Sequence, residues 1–161
     1  MAKAKSKKKN KITLKTLLMT IIVGVLFVAA VVGLFLPFLT RTYGAGALKV
    51  THTIGLFEFE EGLGVTTIVM SILTLIGLVG VAVITVLKLF NIKISTTIEK
   101  VVCIVTAILG VVVMVLVMVH CADISEPLVD LKQDSYTLTF TSFMFTLGTT
   151  AAALVALFNK E

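Results

Sequence analysis

The stretch TLLMTIIVGVLFVAAVVGLFLPFL, residues 16–39, decides how the rest of the chain is read. Its 24 residues include no charged side chain, and a helix of that length, rising about 1.5 Å per residue, extends about 36 Å. That crosses a hydrocarbon core of about 30 Å with some tilt, so the stretch reads as a transmembrane helix. Pro37 predicts a stop near Leu36, because proline cannot continue a helix and pushes the residue before it toward extended backbone.

Working toward the N-terminus, Lys3, Lys5, Lys7, Lys8, Lys9, Lys11 and Lys15 precede the run, with no acid among residues 1–15. A segment so charged and so poor in apolar side chains cannot offset its ordering entropy, and it reads as a disordered basic cytoplasmic tail. Its first role is topogenic; the other is contact with a partner or with anionic lipid, at about 1 kcal/mol per lysine. A basic start before an apolar run also has the form of a secretory signal, with Ala45-Gly46-Ala47 as a small-x-small cleavage site. The run is longer than the roughly 7–15 residues of a signal core, and the site lies several polar residues beyond it, so the span is expected to be retained.

Working the other way, three further apolar runs follow at about 64–87, 98–119 and 138–158. Only 14% of the 161 residues are charged and 58% are hydrophobic, whereas about a quarter carry charge in soluble domains. The fold class is therefore an all-α membrane protein. A single four-transmembrane-helix bundle over 16–159 leaves no room for a separate soluble domain. Cys103 and Cys121 fall on one predicted helix, about 27 Å apart along its axis, too far to pair. Thr96 and Glu99 have the capping-box form and place the start of the third helix near Thr97.

Charge gives the orientation. The tail, the turn 88–100 and the C-terminus hold eleven of the fourteen basic residues and two acids, while the other side holds Arg41, Lys49 and Lys132 against seven acids. The positive-inside rule then puts both termini in the cytoplasm of a multi-pass plasma-membrane protein. This asymmetry accounts for the net charge of +5. No basic-aromatic surface for nucleic acid accompanies it.

Between the spans the period changes from helical to two. Residues 48–53 alternate, with Val50, His52 and Ile54 opposite Lys49, Thr51 and Thr53; residues 56–60 alternate again, with Phe57 and Phe59 opposite Glu58 and Glu60. Two short strands joined at Gly55 are expected. Residues 136–141 alternate as well, so a strand pairing with the first loop competes there with an extended fourth helix. A small extracellular β-element built from the two outer loops follows, with at least two of these segments paired. The connection 120–134 is acidic, and Pro127 marks it as irregular.

The most informative side-chain pattern lies on the fourth span, where Thr139, Ser142, Thr146 and Thr149 recur on one helix face beside Gly148, Ala152 and Ala156. Phe140, Phe143, Leu147, Leu154 and Phe158 take the opposite side, with Phe145 the exception. The second span answers with Thr67, Ser71, Thr74 and Thr85, interrupted by Leu78 and Val81, and with Gly77 nearby. Two readings apply. Small residues and hydroxyls let helix axes approach closely in lipid, or the hydroxyls line a path for a polar solute; close packing leaves little room for the second. Cys103, Ala107, Ala29 and Gly33 add further small positions.

His52, His120, Cys121 and Asp123 have the side-chain types of a zinc or copper site but no ligand spacing, and read as interfacial residues. No charge lies in the middle of any span, where a coupled transporter would hold one. Cys-x-x-Cys, His-Glu-x-x-His, Gly-x-Ser-x-Gly and phosphate-loop motifs are missing from the sequence, so neither a catalytic activity nor a cofactor is expected.

Four spans, cytoplasmic termini, a longer β-prone first outer loop and a short second one resemble the claudin-type tetraspan arrangement. That resemblance implies a small sheet over the bundle. The chain lacks the Trp-Gly-Leu-Trp stretch and first-loop cysteine pair of those families, so the resemblance is one of layout and implies no activity. The expectation is a non-enzymatic protein whose partners are the lipid bilayer and other membrane or surface proteins, or itself. The alternative is a small channel or transporter on the hydroxyl faces of spans two and four.

Overall fold

The computed structural model describes residues 14–43, 49–59, 62–124 and 135–158. The basic tail up to residue 13, the Ala45-Gly46-Ala47 site and the acidic connection 125–134 with Pro127 lie outside the described residues. Four helices run Leu14–Phe35 (α1), Leu63–Leu89 (α2), Thr96–Asp123 (α3) and Phe140–Phe158 (α4). Each is long and apolar enough to cross a membrane. Helices are the natural form for such runs, since in hydrocarbon each backbone N–H must find its acceptor within its own segment.

The helices pack as an antiparallel bundle in which α4 lies along α1 and α3, and α2 lies along α3, with a thinner contact between α1 and α2. Glycines set the closest approaches. A Cβ on Gly77 of α2 would meet Thr106 Oγ1 of α3 at 2.5 Å, and one on Gly110 of α3 would meet Thr150 Oγ1 of α4 at the same distance. In lipid, where burying large side chains gains nothing over leaving them among acyl chains, this close van der Waals contact is what holds helices together. Val65, Val69, Ile72, Ile76, Val79 and Val83 of α2 accordingly point outward.

Three strands cap the end of the bundle where α1 and α3 finish and α2 and α4 begin. They are Pro37–Tyr43 (β1), Val50–Gly55 (β2) and Ser135–Leu138 (β3), antiparallel in the order β2-β1-β3. The sheet over the bundle is the layout that the claudin-type resemblance implies. The strand assignments differ in two places from those read in the sequence. Residues 37–39, counted there as the end of the first span, leave the helix and open the central strand; proline is tolerated as the first residue of a strand. Residues 56–58, expected as strand, form a 3₁₀ turn in which the Glu58 carboxylate accepts a hydrogen bond from Gly55 N at 2.9 Å. Leu56 and Phe59 are buried and Phe57 is exposed, a spacing of three that suits a turn rather than a strand. Thus 50–55 and 135–138 are strands, but each pairs with β1 and neither with the other.

The register shifts between Pro37 and Leu39, so that Phe38 and Leu39, although adjacent, are both fully buried. A bulge of this kind turns two consecutive side chains to one face. Phe38 meets Phe145 of α4 with ring centroids 6.1 Å apart. Both residues belong to the main core, with Leu34, Leu56, Phe59 and Val117, so the sheet is seated on the bundle rather than hung from it.

At the opposite end, Lys88 near the end of α2 donates to Glu99 in the first turn of α3. This replaces the expected capping box: α3 starts at Thr96, Ser95 is the N-cap with no side-chain cap bond, and Glu99 reaches across to α2 instead.

Candidate functional site

Two places could do chemistry or binding: the hydroxyl faces inside the bundle, and the region under and over the sheet.

Inside the bundle, Thr67, Ser71, Thr74, Ser142, Thr146, Thr149, Gly148 and Ala152 are all buried. Thr139 stands apart from this face. It lies between β3 and α4, where its hydroxyl donates to the carbonyls of Pro37 and Phe38 and its N–H donates to Phe38 O at 3.1 Å. The threonines turn their hydroxyls back to their own helices. Thr67 donates to Leu63 O and Thr74 to Met70 O, both at 2.7 Å; Thr146 donates to Ser142 O at 2.9 Å and Thr149 to Phe145 O at 2.7 Å. Ser142 donates to Thr139 O at 2.7 Å. A hydroxyl bonded one turn back is satisfied without any cross-helix or solute partner. Ser71 Oγ and Thr106 Oγ1 differ, being buried with no hydrogen-bond partner among the described residues.

Under the sheet is a cleft of about 590 Å³. Its roof is Leu39 and Arg41 of β1, Ile54 of β2 and Tyr136 of β3, and its floor is formed by the ends of α2 and α3 through Leu63, His120 and Asp123. Register explains the roof. Residues directly opposite in an antiparallel pair share a face, so Leu39 aligns with Ile54 and Leu138, and Arg41 with His52 and Tyr136. The Arg41 guanidinium carbon lies 5.5 Å from the ring centres of both Tyr43 and Tyr136, within cation–π range. On the floor, His120 packs on Phe59 with ring centroids 4.7 Å apart. Gly64 makes room for this stack, since a Cβ there would lie 2.8 Å from Phe59 Cβ and 3.3 Å from His120 Cε1. His120 is 8% exposed, and its Nδ1 is buried with no hydrogen-bond partner among the described residues. Cys121, the next residue, points its thiol to Tyr136 O at 3.5 Å.

Of the four residues with metal-binding side chains, His120 and Asp123 line this cleft, Cys121 bonds β3, and His52 is exposed on β2. Among the described residues no three His, Cys, Asp or Glu side chains are placed to hold a metal ion.

Over the sheet the pattern is uniform. The same register that puts Leu39, Arg41, Ile54 and Tyr136 on the cleft side turns Thr40, Thr53 and Thr137 outward in one row and Thr42, Thr51 and Ser135 in the next. Every residue in these two rows is a hydroxyl, and none is charged. Sequence reading found the alternation in 50–54 and 136–140 but not this surface, because the central strand lay partly inside the presumed first span.

Neither a protein-family model nor a curated protein sequence gives a significant match to the chain.

Proposed function

We propose that this multi-pass membrane protein is non-enzymatic, lies in the plasma membrane with both termini and the turn 88–100 in the cytoplasm, and works by associating with other membrane or surface proteins, or with itself, through the end that bears the sheet. The orientation is supported by the described lysines Lys15, Lys88, Lys93 and Lys100 at the end away from the sheet, against Lys49 beside it, and by the basic sequence that precedes α1. The observation that carries the association is the outward sheet face, with its two rows of three hydroxyls and Lys49 just before them on the same side of β2. Solvated sheets commonly carry lysine or other charges that repel a second chain, whereas the edge strands β2 and β3 hold no charged residue within 50–55 and 135–138. Threonine hydroxyls donate and accept alike, so the face suits close contact with another polypeptide.

The test is co-purification from native membrane in mild detergent, comparing the wild type with Thr42→Lys combined with Thr51→Lys, two outward positions paired across β1 and β2. Loss of a defined set of companions in the variant supports the reading. A set that survives both substitutions sinks it.

The alternative, a channel or transporter on the hydroxyl faces of α2 and α4, draws on the unpartnered hydroxyls of Ser71 and Thr106. Against it stand the threonines bonded to their own helices and the glycine contacts that close the bundle. Solute flux by purified protein in liposomes, reduced by Ser71→Ala, would favour it.

A further inference from the structure

We infer that β2 joins the β2 of a second copy of this chain, edge to edge and antiparallel about a two-fold axis at His52, making one continuous sheet across two bundles. The inference rests on association through the sheet end and names its partner. In the order β2-β1-β3 two strands lie at the outside of the sheet, and they are not alike. β3 is four residues long, and on it the Tyr136 carbonyl already accepts from the Cys121 thiol of α3. β2 is six residues long, its residues 50–53 are exposed, and it holds no proline and no charge. Its register with β1 is regular from Val50 to Ile54, and the shift lies at the Pro37 end. Bulges, prolines and charges are the usual means of closing an edge to another strand, and β2 has none of them along 50–54.

Symmetry makes a second copy the fitting occupant. Two copies inserted the same way in one bilayer are related by an axis along the membrane normal. Antiparallel strands whose two-fold keeps each face of the sheet on its own side have that axis perpendicular to the sheet. Here the sheet lies across the end of the bundle, one face over the ends of α2 and α3, so the two directions coincide. Both bundles then stand side by side in the membrane. The contact closes on itself, whereas β2 against β3 would propagate from copy to copy.

Register follows from the faces. Opposite residues share a face, so the outward Thr51 and Thr53 must meet outward residues. Within 50–55 the longest pairings place either His52 or Thr53 at the two-fold. Gly55 gives its N–H to the Glu58 carboxylate at 2.9 Å, which takes it out of a ladder and selects His52. Thr51 then faces Thr53 of the copy on both sides of the axis. Val50 faces Ile54, an apolar pair that covers a valine 50% exposed in the single chain. Lys49 falls across from Gly55 and not against its own counterpart.

The test is disulfide trapping of the full chain in its native membrane. Opposite residues of an antiparallel pair have Cα atoms about 4.5 or 5.5 Å apart, within disulfide reach, whereas diagonal ones lie about 7–8 Å apart, beyond it. Under mild oxidation His52→Cys should form a linked dimer and Thr51→Cys alone little or none, while Thr51→Cys co-expressed with Thr53→Cys should link again. All three positions are exposed, so the substitutions leave the core alone. The wild type, whose Cys103 and Cys121 are buried, gives the background. Charge supplies a second readout: differently tagged His52→Lys and His52→Glu copies should retain each other over their own kind by up to about fivefold. Absence of a His52→Cys dimer, equal trapping of Thr51→Cys alone, or equal retention of like and unlike charges overturns the proposal. Companions lost through Thr42→Lys with Thr51→Lys while His52→Cys stays monomeric would leave association through the outward face standing and remove the second copy as its partner.

Discussion

Gly33 sits directly against the backbone of Phe145. A Cβ on the glycine would lie 2.8 Å from the Phe145 amide nitrogen and 2.9 Å from the Thr141 carbonyl oxygen. Backbone atoms inside a helix cannot swing aside as a side-chain tip can, so α1 and α4 hold a separation that only glycine permits. Gly33→Ala should destabilise by about 1–3 kcal/mol, as overpacking does. Gly24 on the same helix has nothing within 4 Å of its would-be Cβ. Gly24→Ala should be neutral or gain up to about 1 kcal/mol from helix propensity. Thermal unfolding in detergent compares the two, and equal losses would count against the close contact.

The same logic separates two neighbours on α4. Gly148 is buried, and its Cβ would reach the Ala30 side chain of α1 at 3.4 Å, whereas Leu147 is 53% exposed. Gly148→Ala should be mild, since that distance is ordinary contact. Gly148→Leu should cost about 1–3 kcal/mol or prevent assembly. Leu147→Ala removes more apolar surface yet should change stability by no more than about 0.5 kcal/mol, because its side chain faces outward. A larger drop in melting temperature for Leu147→Ala than for Gly148→Leu would show that the faces are reversed.

At the other end of the bundle, the Lys88 and Glu99 side chains are only 14% and 12% exposed. Removing one partner of a mostly buried pair strands the other, so Glu99→Leu alone should destabilise by about 3 kcal/mol. Lys88→Leu together with Glu99→Leu should recover most of that loss. A double variant no better than the single one would mean that the two charges do not depend on each other.

Sidedness can be read chemically. Asn91 lies exposed in the turn between α2 and α3, and Thr53 lies exposed on the outward face of β2. A cysteine introduced at Thr53 should react with an impermeant maleimide on intact cells, and one at Asn91 only after permeabilisation, because the lysines surround the Asn91 end. The reverse pattern would invert the proposed orientation.

The helices were legible because long apolar runs admit few other structures. Their ends were not. Residues 37–39 continue the apolar run without a change of composition, and only the partner strands, one of them about a hundred positions away, make them β1. The alternation at 56–60 imitated a strand, but a carboxylate folding back onto Gly55 N made it a turn. The small-residue faces could be read from spacing, although the tightest contacts fall on Gly33, Gly77 and Gly110 rather than on Gly148, since the crossing points depend on how the axes tilt. Nothing local marks the cleft, because its walls come from three strands and two helices that meet only in the folded chain.

The hydroxyls of Thr139 and Thr141 both reach the carbonyl of Pro37, more than a hundred residues earlier in the chain. In a polypeptide made from its N-terminus onward, that joint cannot close until the chain has been made at least as far as Thr141. Until then β1 has one neighbour and one bare edge, and the cleft lacks the wall that Tyr136 supplies. The completed sheet is thus a record that the chain has passed its third helix and returned: a factor that recognises an unpaired strand at the membrane surface would distinguish a chain interrupted before residue 135 from one that has made β3, without inspecting the bundle at all.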